Sequence, residues 1–197
     1  VGGASGRLVF SSGTGKAGNS GALYVGSGVS TGGRGGMVSI SVGSGTSGSG
    51  GAVSVLSGRS TVHTGGALSV ESGEGATTSS GAITIRSANS GVGGASGRLV
   101  FSSGTGKGGN SGALYVGSGA ASGGRGGTVI YSLARGTGRP GGAVSVLSGR
   151  STVHTGGALS VESGEGTTTS SGSITIRSAN VGTGGVSGRL VFSSGTA

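Results

Sequence analysis

The sequence predicts an all-β fold, a parallel β-solenoid of about 13 coils, and three observations carry that expectation. First, the stretch Gly51-Ala52-Val53-Ser54-Val55-Leu56-Ser57-Gly58 returns fifteen residues later as Gly66-Ala67-Leu68-Ser69-Val70-Glu71-Ser72-Gly73. It returns again as Gly81-Ala82-Ile83-Thr84-Ile85-Arg86-Ser87-Ala88. Second, the apolar residues of the unit stand two apart, which places them on one face of an extended segment. Third, the unit runs through the chain at a fixed short period, the sequence signature of a solenoid in which each turn is covered by the next.

The coils begin at Gly6, Gly21, Gly36, Gly51, Gly66 and Gly81, five steps of fifteen residues, and a step of sixteen leads to Gly97. The set then repeats from Gly97 through Gly112, Gly127, Gly142, Gly157 and Gly172, with sixteen residues again before Gly188. Six coils thus make a 91-residue super-repeat, covering 6–96 and 97–187 with a partial third over 188–197. Residues 1–197 read as one solenoid domain. Stacked parallel strands about 4.8 Å apart would make thirteen coils a rod of about 60 Å.

Aligning the coils yields columns. The third and fifth positions of the first set are wholly apolar, and the predicted core is drawn from these columns: Leu8, Phe10, Val25, Ile40, Val53, Val55, Leu68, Val70, Ile83 and Ile85 in the first set. In the second set they are Leu99, Phe101, Val144, Val146, Leu159, Val161, Ile174 and Ile176. The fourth position between them reads Val9, Tyr24, Ser39, Ser54, Ser69 and Thr84, as an outward or half-exposed position should. Ser60-Thr61-Val62-His63-Thr64 and Ala76-Thr77-Thr78-Ser79-Ser80 have the propensity for a second strand in each coil. Lys16-Ala17-Gly18-Asn19-Ser20 reads as a turn, and the flanking glycines are expected to permit the sharp bends.

Charge supplies a second ladder. Arg59 is followed one coil later by Glu74, and Glu71 by Arg86; Arg150 with Glu165 and Glu162 with Arg177 repeat both pairs. All four acids of the chain fall into these inter-coil ion pairs, which would fix the stacking register.

Composition bounds the function. Of 197 residues 54 are glycine, with one proline and no cysteine, so collagen is excluded by its missing period and proline, and no disulfide can form. The net charge of +9 suits anionic partners or plain solubility. No apolar run reaches membrane-spanning length. His63 and His154 lack companions for a metal site. The glutamates are committed to arginines rather than to a pair flanking a sugar, and no lysine of the Gly-Thr-Gly-Lys stretches at 13–16 and 104–107 is followed by Ser or Thr as a phosphate loop requires. No enzyme constellation, cofactor or metal is expected. Nucleic acid is not expected either, since the aromatic platforms that hold single strands are scarce. Ice binding would need a threonine column on every coil, and Thr84, Thr175, Thr77, Thr78 and Thr167 to Thr169 do not build one.

The Gly-Gly-Ala-Val-Ser-Val-Leu-Ser-Gly unit resembles the glycine- and serine-rich tandem repeats of large secreted or cell-surface proteins of diatoms and related algae, which are thought to form β-solenoids. The resemblance covers all thirteen coils and implies an extracellular, structural role without catalytic residues. Thr128-Val129-Ile130-Tyr131 departs from the pattern and marks a candidate lateral contact. The expectation is a structural protein of an extracellular filament or surface layer, a piece of a longer repeat protein or a fibre subunit. Its partners would be copies of itself, end to end or laterally, with O-linked or associated glycans. An ice- or anionic-glycan-binding module is the alternative.

Overall fold

The computed structural model describes residues 5–134 and 140–195. It divides into two units, Val1–Val100 and Phe101–Ala197, each built from the same repeating element. The fifteen-residue period survives in the backbone as an alternation of extended legs and bends. Bends fall at 16–18, 31–33, 46–48, 61–63 and 76–78 in the first unit, and at 107–109, 122–124, 152–154 and 167–169 in the second. The legs are the first seven positions of each repeat, where the apolar residues alternate.

Five of the described bends bring the chain back to one fixed point. The amide of an opening glycine donates to the carbonyl eight residues before it: Gly51 to Gly43 at 3.3 Å, Gly66 to Gly58 and Gly81 to Gly73 at 2.9 Å, Gly157 to Gly149 and Gly172 to Gly164 at 2.8 Å. Room for a side chain is tight at the opening glycines Gly36 and Gly127. A Cβ on Gly36 would stand 3.1 Å from the Cβ of Ser27, and one on Gly127 3.0 Å from that of Ser118. Positive φ, the conformation that glycine alone adopts without strain, occurs among the described residues only at Gly93 (79°) and Gly184 (88°). Both lie in the sixteen-residue steps. Around the first, the Gly94 amide donates to the Gly91 carbonyl at 3.2 Å, so residues 91–94 form a turn with its left-handed residue third, as a type II turn requires. The extra residue of each super-repeat is accommodated by a true turn.

These features correct the predicted fold. Among the described residues there is no helix and no strand, and therefore no sheet, β-solenoid or parallel β-helix. A stacked ladder needs its neighbours about 4.8 Å away along the whole strand, whereas few residues here come near another twelve or more positions distant. The backbone hydrogen bonds between successive legs lie at the base of the bends, and the strand stacking behind the expected coils and rod length is absent among the described residues. The segments expected to form second strands, Ser60–Thr64 and Ala76–Ser80, contain the bends at 61–63 and 76–78 instead.

No described apolar side chain is buried. The residues assigned to core columns range in exposure from 49% at Leu99 to 81% at Ile40. The accessible surface is 19695 Å², against about 8,000 Å² for a compact chain of this mass and roughly 26,000 Å² for an unfolded one. The physical reason lies in the composition. Glycine loses more backbone freedom on ordering than any other residue, and two small apolar side chains in each repeat offer little burial against it.

Candidate ligand surface

Two kinds of bend display the polar side chains. In the glycine kind, a Cβ at the entry would collide with carbonyl oxygens across the bend. For Gly75 these are Ser79 O at 2.5 Å and Thr78 O at 2.8 Å, and for Gly45 it is Gly48 O at 2.6 Å. Gly15 faces Gly18 O and Gly106 faces Gly109 O in the same way. In the serine kind a hydroxyl occupies the equivalent place. Ser60 Oγ accepts the amides of Val62 (3.3 Å) and His63 (2.9 Å), and Ser151 Oγ those of Val153 (3.3 Å) and His154 (2.8 Å). In the first set the tenth column alternates Gly15, Ser30, Gly45, Ser60, Gly75, Ser90, whereas the second has Ala121 and Val181 where the first has Ser30 and Ser90. Sequence reading at a period of fifteen passes over this, although the alternation stands in the tenth column.

A third hydrogen bond holds the bends that precede Arg34 and Arg125. Ser27 Oγ donates to Gly36 O at 2.8 Å, and Ser118 Oγ to Gly127 O at 3.0 Å. Each clamps a Gly-Gly-Arg-Gly-Gly segment, 32–36 or 123–127, with its arginine exposed. The lysines Lys16 and Lys107 sit within bends 16–18 and 107–109. Lys16 and Lys107 are thus presented on bends and Arg34 and Arg125 directly after them, whereas Arg7, Arg86, Arg98, Arg177 and Arg189 stand on legs.

The legs of the second unit enclose an open cavity of about 520 Å³, lined by Phe101, Leu114, Tyr115, Val116, Gly117 and Tyr131. Its lining comes from three successive legs, and Phe101, Val116 and Tyr131 share the fifth column. Tyr131 belongs to the segment whose sequence departs from the pattern.

The eight residues of the predicted ion pairs, Arg59, Glu74, Glu71, Arg86, Arg150, Glu165, Glu162 and Arg177, are all exposed. Glu71 has a neighbour in its own leg, with Ser69 Oγ donating to Glu71 Oε1 at 3.4 Å. Thr77, Thr78 and Thr167 to Thr169 lie at bends rather than along legs. Among the described residues no group of His, Cys, Asp or Glu is placed to hold a metal ion, and no helix is long and apolar enough to cross a membrane.

Legs and bends at a fifteen-residue repeat define a tandem-repeat chain whose side chains are available to partners. No family model, no curated protein and no solved structure matches it.

Proposed function

We propose that the protein is a structural element of an extracellular filament or surface layer, assembled by association of its own copies through the legs. One observation carries the reading: apolar residues recur at two columns of every repeat, and in the single chain they face solvent. Regularly placed apolar surface of this extent marks an interaction face. A second copy fits it, because any chain of the same sequence presents the same columns at the same spacing. Arg59 and Glu74, or Glu71 and Arg86, would supply opposite charges at a one-repeat offset between copies. The extracellular assignment follows the resemblance of the repeat to secreted algal proteins, and the abundant Ser and Thr would accept O-linked sugars.

The test is sedimentation velocity with electron microscopy on the full chain and on the double variant Val55→Asp, Val146→Asp. The wild type is expected to sediment as species well above its 17.9 kDa mass and to form filaments or layers. The variant, with a charge in the fifth column of each unit, is expected to remain monomeric. A wild type that stays monomeric at every accessible concentration overturns the proposal.

A further inference from the structure

The cations are segregated along the chain. Residues 59–86 and 150–177 each hold two arginines and two glutamates and are neutral, whereas 87–149 holds Arg98, Lys107, Arg125, Arg135 and Arg139 with no acid at all. With three cations before residue 59 and Arg189 near the end, these blocks account for the net charge of +9. The cavity walled by Phe101, Tyr115 and Tyr131 opens within the acid-free block.

We propose that this cavity binds an acidic oligosaccharide, a sugar ring seated on the aromatic and aliphatic wall and its carboxylate or sulfate groups drawn to Lys107 and Arg125. Three features of the site carry this. Its volume of about 520 Å³ falls in the range of small-ligand sites, and its lining has their character, apolar walls with a few polar groups. The phenols of Tyr115 and Tyr131 offer hydroxyls beside apolar ring faces, which matches a pyranose with its C–H face and hydroxyl rim. Lys107 lies in the bend 107–109 and Arg125 directly after the bend 122–124 of the same unit, each six residues along the chain from a lining residue, Phe101 and Tyr131 respectively. Six residues span at most about 20 Å, so a glycan several sugars long meets both cavity and cations. A nucleic-acid strand fits less well, because its affinity is built from many simultaneous phosphate contacts, and between Phe101 and Tyr131 the chain carries only Lys107 and Arg125 as cations. The site goes beyond self-assembly and uses fifth-column residues of the same legs, so it is open in the unassociated chain.

The first unit provides an internal control. Its equivalent residues are Phe10, Leu23, Tyr24, Val25, Gly26 and Ile40, identical but for Ile40 in place of Tyr131. The experiment is titration of the full chain, below its association concentration, with a tetra-uronate oligosaccharide, a neutral tetrasaccharide and an oligothymidylate, read by the fluorescence of its three tyrosines and by calorimetry. One tetra-uronate is expected per chain, at least tenfold tighter than the neutral sugar and weakening with salt. Tyr131→Ile is expected to lose at least tenfold, and Ile40→Tyr to raise the stoichiometry toward two. Unchanged binding in Tyr131→Ile overturns the proposal, as does equal affinity for the neutral sugar. Tighter binding of oligothymidylate assigns the surface to nucleic acid and equally overturns it.

Discussion

A single Cβ separates the two kinds of bend. At Gly75 it would stand 2.5 Å from Ser79 O, closer than real contacts come, so Gly75→Ala must open the bend. At Gly73, on the same bend, an added Cβ meets nothing within 4 Å. The Gly81 amide, bonded to Gly73 O at 2.9 Å across the bend, reports the difference. Gly75→Ala is expected to raise its hydrogen-exchange rate several-fold, and Gly73→Ala to leave it unchanged. Equal exchange in the two variants would mean that glycine is not what the bend requires. Ser60→Ala is the counterpart in the serine bends: it frees the Val62 and His63 amides, and the loss of a local hydrogen bond of roughly 0.5–1.5 kcal/mol should speed exchange at His63 selectively.

At the scale of the element, the sixteen-residue step is the most specified part of the backbone. Gly93 holds φ at +79°, where a residue with a Cβ is disfavoured by about 1–2 kcal/mol. Gly93→Ala is therefore expected to abolish protection of the Gly94 amide, while Gly93→Asn, which tolerates the left-handed region, retains much of it; equal loss in both would place the turn's stability elsewhere. The step itself was legible in the sequence as one extra residue every 91, and the legs were legible as apolar alternation between Gly51 and Gly58. What covers the legs was not. Val53 and Val55 declare a face, and the identical pattern suits a neighbour in the same chain, a neighbour in another chain, or water. Periodicity locates repeats, whereas pairing depends on whether the bends return the legs side by side, and here the backbone hydrogen bonds between legs lie at the base. The tyrosine cavity was hidden for a related reason: Phe101, Tyr115 and Tyr131 are thirty residues apart end to end, and nothing in the alignment of columns says that three legs share one hollow.

For the molecule as a whole, two forces act in opposite directions on association. The apolar columns favour it, by about 25 cal/mol for each Å² removed from water, and the net charge of +9 opposes it through repulsion between copies. Salt separates the two. At 0.01 M ionic strength charges interact over roughly 30 Å, and at 0.15 M over about 8 Å, so added sodium chloride removes repulsion while leaving the apolar term in place. If the legs join through Val, Ile, Leu and Phe, the weight-average mass in sedimentation should rise with salt, and sulfate, which strengthens apolar burial, should raise it further than chloride at equal ionic strength. If the Arg59–Glu74 and Glu71–Arg86 pairs were the main adhesive, the mass should fall instead, because exposed ion pairs weaken as they are screened. Replacing Glu71, Glu74, Glu162 and Glu165 with Gln sharpens the distinction. That variant carries more positive charge and should need more salt to associate, yet reach the same mass once screened, whereas adhesion by ion pairs would leave it monomeric at every salt concentration.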